Sequence, residues 1–193
     1  GFVDAFWVGE PWGSVAVGRD VAQLMMLGKD VWQFAPEKVL AARHDWVAAN
    51  EDATGRLMRA VYKASAWLDA EKNKPLAVEI LARSEHLSMS PDLIDPALSG
   101  DIVPKLNTAP RAEGRFLQFH QHAATFPWRS QAAWIASQLG ADAVGIEKAK
   151  ACFRTDLYRQ NLSVIGADMP GASEKEEGAL RFETAVASSR GHM

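Results

Sequence analysis

The chain contains 193 residues and carries 21 lysines and arginines against 24 aspartates and glutamates, a formal net charge of −3. Proteins that bind nucleic acid usually carry a basic surplus, so this balance predicts no nucleic-acid partner. With 48% apolar and 23% charged residues, the composition is that of a globular protein rather than a disordered one. The single cysteine, Cys152, excludes an internal disulfide. The lack of any apolar run of about 18 residues predicts no membrane span.

The first residues predict a strand and an incomplete polypeptide. Residues 3–8 are short, apolar and β-prone, and they end at a glycine-proline turn signal at residues 9–11. No initiator methionine, basic leader or cleavable apolar segment precedes them, so we expect the chain to be part of a longer protein. Residues 31–34 form a second candidate strand. Residues 38–42 fit strand or helix by periodicity, and we favour strand.

Helices dominate the middle of the chain. Asn50 is a favourable N-cap, and the acidic residues after it suit the positive end of a helix dipole, so we predict a helix to about residue 69. Apolar side chains at helical spacing predict its buried face: Leu57, Val61, Ala64 and Leu68. Prolines at positions 75 and 91 predict two further helix starts.

The second half of the chain is also mainly helical by its pattern. Residues 100–112 contain glycine and prolines and predict a loop. Three helices are predicted, at residues 115–123, 130–139 and 143–153. Beyond residue 166 we expect an extended, loosely packed tail with a charged run at residues 174–177. This helix-rich pattern with few strands fits the second half of an α/β protein better than a complete fold.

The histidines and the cysteine form no recognisable catalytic or metal site. His120 and His122 are the closest pair, but positions i and i+2 of the predicted helix do not share a face. Zinc, phosphate-loop and nucleophile-elbow motifs are absent from the sequence, and Cys152 is interpreted as a small core residue. We therefore predict no enzyme activity, no cofactor and no metal.

The turn at residues 9–12 is the first candidate for a binding site. Where a strand ends in a glycine turn, backbone N–H groups can point into a crevice at the strand's carboxyl edge, a frequent anion site in α/β proteins. Gly9 and Glu10 form this turn, and Trp12 follows it and could face a cleft. Lys38 could supply a positive charge, although an isolated exposed lysine is usually solvated surface.

Four motifs, in order along the chain, resemble the nitrate-type and bicarbonate-type solute-binding proteins of ABC importers. They are VDAFWVGEPW at residues 3–12, PEKVLAARHDWV at 36–47, FPWRSQAAW at 126–134 and FRTDLY at 153–158. The cytosolic nitrate sensors built on the same scaffold share them. The likeness runs from residue 1 to about residue 178 and covers only the carboxyl half of such a protein.

The resemblance implies the type II periplasmic binding protein fold, a two-lobed α/β clamshell with an anion between its lobes. Residues 1–12 would end one lobe and cross the hinge. Residues 13–165 would form part of the second lobe, and residues 166–193 would be the extended carboxyl tail.

The resemblance also implies the ligand-binding residues. In nitrate-binding members, a backbone amide near the Gly-x-Pro-Trp turn and the lysine of the Pro-Glu-Lys motif contact the oxyanion. Those positions here are Gly9 and Lys38, and their neighbours Glu10 and Trp12 complete the predicted set. Bicarbonate-type relatives tend to carry an acidic residue where this chain has Lys38. A cation there suits an obligate monoanion, so the resemblance favours nitrate or nitrite.

The implied function is that of a periplasmic solute-binding component that delivers its anion to an ABC permease in the membrane. The missing amino-terminal half of the same protein would supply the remaining ligands. Two alternatives stay open. One is a cytosolic sensor that regulates a protein partner through the same anion-driven closure. The other is an enzyme of pyrimidine or sulfonate metabolism on this scaffold, which would need a catalytic histidine or cysteine in the cleft.

Overall fold

The computed structural model describes residues 3–114 and 116–177. The chain divides into two compact units. The first unit contains Gly1–Leu27 and Trp67–Phe119, and the second contains Gly28–Ala66 and His120–Met193. The lobe and tail boundaries expected from the resemblance stay a prediction.

Helices make up most of the described chain. In order they are α1 (Trp12–Gly18), α2 (Gly28–Val31), α3 (His44–Ala49), α4 (Glu51–Asp69), α5 (Lys74–Ala82), α6 (Pro91–Ser99), α7 (Arg129–Gln138), α8 (Ala143–Cys152) and α9 (Thr155–Leu162). Short 3-10 helices occupy Glu71–Asn73, Gln121–Ala123 and Ser163–Ile165. Two short strands, β1 (Asp101–Ile102) and β2 (Arg111–Ala112), pair antiparallel. The described chain is therefore helix-rich with few strands, as the sequence predicts.

The first unit packs around an aliphatic core. Ala77 and Val78 of α5 meet Ile94 and Leu98 of α6, and all four side chains are buried. Ile102 of β1 is also buried, at 1% exposure. Removing such apolar surface from water is the main force that holds these short elements together.

Helix α1 begins within the turn at residues 9–12 and buries five consecutive residues, from Gly13 to Val17. It packs against α6. A Cβ added at Gly18 would stand 2.7 Å from Cδ2 of Leu93, closer than real Cβ contacts allow. This close packing joins the turn, through α1, to the core of the first unit.

The second unit has an aromatic core. Tyr62, Phe126 and Tyr158 are buried there together. The rings of Phe126 and Tyr158 meet edge to face with centroids 5.1 Å apart, an arrangement that aromatic pairs prefer. Helices α4 and α9 approach closely at Gly55, where an added Cβ would stand 2.3 Å from Oδ1 of Asn161. A larger residue at position 55 would therefore require the Asn161 side chain to move.

The structure confirms the helices predicted in the middle of the chain, α4 to α8. The predicted buried face of α4, however, is wrong. Leu57 and Val61 are 43% and 41% exposed. Thr54, Gly55 and Tyr62 are the buried residues instead. The core-facing side of α4 combines small and aromatic residues, which apolar periodicity does not detect.

The strands predicted at residues 3–8, 31–34 and 38–42 are wrong. Residues 3–8 have no regular secondary structure, and Phe6 and Trp7 within them are 54% and 65% exposed. A strand needs a partner for its backbone N–H and C=O groups. Within residues 3–114 and 116–177, the sheet consists of β1 and β2 alone.

The helix predicted at residues 115–123 is also wrong over its described part. Bends and a 3-10 helix replace it, and His122 has a left-handed φ of 59°. The backbone N–H of Phe119 donates to the carboxylate of Asp69, 2.9 Å away, instead of to a helical carbonyl. Four short helices, α1, α2, α3 and α9, were not expected. Cys152 is exposed rather than part of a core.

The described part of the tail, residues 166–177, lacks regular secondary structure as expected, but it is not loosely packed. Glu177 is only 4% exposed. The carbonyl of Ser173 accepts a hydrogen bond of 2.9 Å from the backbone N–H of Arg129. The predicted tail beyond residue 177 lies outside the described residues.

Candidate functional site

The turn at residues 9–12 brings three of the predicted binding residues together in the first unit. The backbone N–H of Trp12 donates to the carbonyl of Gly9 over 3.1 Å. The peptide bond between Glu10 and Pro11 is cis. Local backbone geometry therefore sets the arrangement of Gly9, Glu10 and Trp12.

The carboxylate of Glu10 caps α1. Its Oε2 accepts a hydrogen bond of 3.3 Å from the backbone N–H of Ser14. A Cβ added at Gly13 would stand 2.7 Å from Oε1, so glycine leaves room for the carboxylate at the helix start. A negative charge is favourable beside the first turn of a helix. Glu10 thus stabilises the element that follows Gly9.

The Trp12 side chain is 52% exposed. The other exposed apolar side chains near this end of the chain are Val3, Phe6, Trp7 and Val8. An exposed indole ring can cover a bound ligand and lower the local polarity.

Lys38 lies in the second unit, away from regular secondary structure. Its side chain is 78% exposed, and its ammonium group contacts the carboxylate of the adjacent Glu37. An anion that approached Lys38 would compete with this carboxylate. Gly9, by contrast, belongs to the first unit.

The chain just before Lys38 is firmly held within the second unit. Trp32 is 7% exposed, and its ring lies 4.3 Å from that of Trp134, centroid to centroid. The carbonyl of Phe34 accepts a hydrogen bond of 3.2 Å from the side-chain amide of Gln131. Both contacts connect the segment to α7.

A second set of contacts comes from residues 173–177, which we call the strap. Glu177 accepts two hydrogen bonds, of 3.1 Å from the indole Nε1 of Trp32 and of 2.6 Å from the hydroxyl of Ser130. The backbone N–H of Lys175 donates to the same hydroxyl over 3.1 Å. The strap thereby ties the chain before Lys38 to the first turn of α7.

Lys175 adds a cation to this arrangement. Its ammonium group lies 3.9 Å from the centroid of the Phe34 ring and 5.1 Å from that of Trp128. Cations are attracted to the faces of aromatic rings. Burial lowers the pKa of Lys175, and the negative charge of Glu177 opposes that shift.

Two hydrogen-bonded polar pairs lie at the aromatic core of the second unit. His120 Nε2 and the hydroxyl of Tyr62 are 2.8 Å apart. The hydroxyls of Tyr158 and Thr125 are 2.9 Å apart. Burial raises the pKa of both tyrosines. These bonds satisfy polar groups inside the core, so we assign the pairs a structural role.

No helix among the described residues combines the length and apolar character that a membrane crossing requires. Within residues 3–114 and 116–177, no three histidine, cysteine or acidic side chains are grouped so that they could bind a metal ion.

Sequence reasoning missed the strap. The run Glu174-Lys175-Glu176-Glu177 has the composition of a solvated surface, and nothing local indicates that its last carboxylate is buried. The partners of Glu177 stand 145 and 47 residues away along the chain. One usable signal was the serine at the start of α7, which offers a hydroxyl at a helix terminus.

The sequence is similar to known anion-binding proteins along nearly its whole length. Residues 1–82 match the model of the NMT1-like family. Over 188 residues the chain is 28% identical to the nitrate/nitrite binding protein NrtA of Synechococcus elongatus, covering 94% of this chain and 42% of that protein. It is 26% identical over 193 residues to the bicarbonate-binding protein CmpA of a Synechococcus species, covering 91% and 43%.

The fold is also that of a solved relative. The crystal structure of the periplasmic nitrate-binding protein NrtA from Synechocystis PCC 6803 superposes with a TM-score of 0.81 at 23% identity, over 87% of this chain and 46% of that one. The chain therefore spans less than half the length of the relatives it matches. The predicted fold class, part of a type II periplasmic binding protein, is confirmed.

Proposed function

We propose a function for this chain from one premise: the chain belongs to the nitrate-type and bicarbonate-type solute-binding proteins of ABC importers. The complete protein captures a small oxyanion, nitrate or nitrite, between two lobes in the periplasm. It releases the anion unchanged to a membrane permease. The similarity to NrtA along 94% of the chain carries this proposal.

The chemistry of the anion suits the residues that we assign to it. Nitrate is flat, singly charged and weakly basic, so its site must combine several N–H donors with a cation in a cleft that excludes water. The turn at residues 9–12 would offer the amide of Gly9 and the ring of Trp12, and Glu10 would hold the turn on α1. Lys38 would offer the cation.

Lys38 is also the reason to prefer nitrate or nitrite over bicarbonate. A lysine ammonium attracts any monoanion, whereas a carboxylate at this position would suit a ligand that brings a proton or a metal ion. In the structure the ammonium contacts Glu37 and is otherwise exposed. Breaking an exposed ion pair requires little free energy, so this contact leaves Lys38 available to a ligand.

Closure of two lobes around the anion supplies the mechanism. A ligand that contacts both lobes in the closed state, and only one in the open state, shifts the equilibrium towards closure. The permease would recognise the closed form. No step breaks a bond in the ligand, so we propose a binding protein rather than an enzyme.

Titration calorimetry tests this proposal on the complete natural polypeptide that contains the chain. Nitrate or nitrite should bind more tightly than bicarbonate or an alkyl sulfonate. Lys38→Ala should weaken nitrate binding by about 1.5 to 3 kcal/mol, the value of a hydrogen bond to a charged group. Lys148→Ala, an exposed lysine of the same unit, is the matched control. Tighter bicarbonate binding, or equal effects of the two substitutions, would refute the assignment.

A further inference from the structure

The segment that carries Lys38 has no buried side chain of its own. Every residue from position 37 to position 46 is exposed. Lys38 follows Phe34 by four residues, so its Cα can lie at most about 14 Å from that of Phe34. Pro36 stiffens this connection, because its ring fixes φ and restricts the residue before it. The location of Lys38 therefore depends on what holds Phe34 and Trp32.

The strap and α7 hold both residues. Trp32 donates its indole N–H to Glu177, and Lys175 lies against the ring of Phe34. Gln131 of α7 binds the Phe34 carbonyl, and Gln131 is itself only 5% exposed. All these groups belong to the second unit.

Glu177 is the group on which the arrangement depends most. A buried carboxylate is unfavourable unless hydrogen bonds and a nearby cation compensate it. Here Trp32 and Ser130 donate to its two oxygens, and Lys175 supplies the positive charge. Without the carboxylate, the indole N–H of Trp32 would be left buried with no acceptor, and the strap would lose its contact with α7.

We propose that Glu177 is a positioning residue for anion binding: through Trp32 and the strap it fixes the segment on which Lys38 is presented to the ligand. This inference rests on the proposed function. Glu177 does not touch the anion, and it acts only by limiting where Lys38 can lie.

The test compares Glu177→Gln with Glu174→Gln in the complete natural polypeptide. Both substitutions remove one negative charge from the strap, but Glu174 pairs with Lys150 on α8, whereas Glu177 accepts from Trp32. Glu177→Gln should accelerate amide hydrogen exchange in residues 28–38 and weaken nitrate binding roughly tenfold. Removing a group that orients a metal-binding residue without touching the metal has an effect of similar size. Glu174→Gln should do neither.

A double-mutant cycle separates positioning from a general loss of stability. In a Lys38→Ala background, Glu177→Gln should have little further effect on nitrate affinity, because the residue it positions is absent. A full tenfold loss in that background would overturn the proposal. So would unchanged exchange in residues 28–38, or unchanged nitrate affinity with Lys38 present. If Glu177→Gln does not fold, Trp32→Phe removes the indole N–H that donates to Glu177 and keeps an aromatic ring at position 32.

Failure of the proposed function would look different. If the unmodified polypeptide bound none of nitrate, nitrite, bicarbonate or the sulfonate, both the proposed function and the role of Glu177 in anion binding would be refuted. Hydrogen exchange would still report whether Glu177 holds residues 28–38.

Discussion

The turn at residues 9–12 and the segment with Lys38 are held in different ways. The turn at residues 9–12 is fixed by near neighbours: a hydrogen bond from Trp12 to Gly9, and the Glu10 carboxylate on the start of α1. Lys38 is exposed, and its location is set by contacts of Trp32 and Phe34 with residues about a hundred or more positions later in the chain.

This difference has a consequence for how each part responds to change. The turn leads directly into α1, whose residues Gly13 to Val17 are buried, so its geometry follows from local folding. Residues 37–46, which include Lys38, are all exposed, and the Lys38 ammonium group pairs with the adjacent Glu37. Substitutions at distant positions should therefore affect Lys38 much more than they affect the turn.

Trp32→Ala should have the largest effect. It removes a buried ring, its tilted contact with the Trp134 ring and the hydrogen bond to Glu177, so the free energy of unfolding of the second unit should fall by about 3 to 5 kcal/mol. Urea unfolding followed by circular dichroism measures this loss. Trp12→Ala is the control, because its ring is 52% exposed, and the expected change is below about 0.5 kcal/mol. Similar losses for both would contradict the contrast between the two regions.

Glu10→Ala should have an intermediate effect, confined to the first unit. Losing the hydrogen bond to the Ser14 amide and the charge at the start of α1 should destabilise that helix by about 1 kcal/mol. Hydrogen exchange of the α1 amides measures this, and residues 28–38 should be unaffected. Glu79→Ala, an exposed glutamate on α5, serves as the control. Faster exchange in residues 28–38 would mean that the two regions are not independent.

Glu37→Gln should have the smallest effect and the opposite sign. Removing the carboxylate that competes for Lys38 should strengthen nitrate binding by between about 1.5-fold and fivefold, the range for an exposed ion pair. Calorimetry at low and moderate salt measures the gain, which should shrink as salt screens the pair. Weaker binding would instead assign Glu37 a supporting role at the site.

Helix signals in this sequence predicted structure well where they were local. α4 begins directly after Asn50 and α6 begins at Pro91, as predicted. The capping expected of Asn50 is not made, because its side-chain amide donates to the carbonyl of Trp46 instead. The predicted strands near the front are wrong because a strand needs a partner for its backbone hydrogen bonds, and a local sequence pattern does not reveal whether one is present.

The proposed binding and positioning residues also differ in how well the sequence predicts them. The Gly9–Trp12 turn could be located from its glycine and proline, and Lys38 from the motif around it. The buried state of Glu177 could not be predicted, because a glutamate in an acidic run is normally solvated. Its burial is favourable because the distant Trp32 and Ser130 donate to its carboxylate and Lys175 supplies a positive charge.

Helix α7 begins without a side-chain cap from the residue before it. Its first amide and its first-turn serine bond instead to the strap, about 45 residues further along the chain. A ribosome adds roughly 5 to 20 residues per second, so the strap is synthesised about 2 to 9 s after the start of α7. During that interval Trp32 also lacks its acceptor, and the second unit can assume its final form only when translation has passed Glu177.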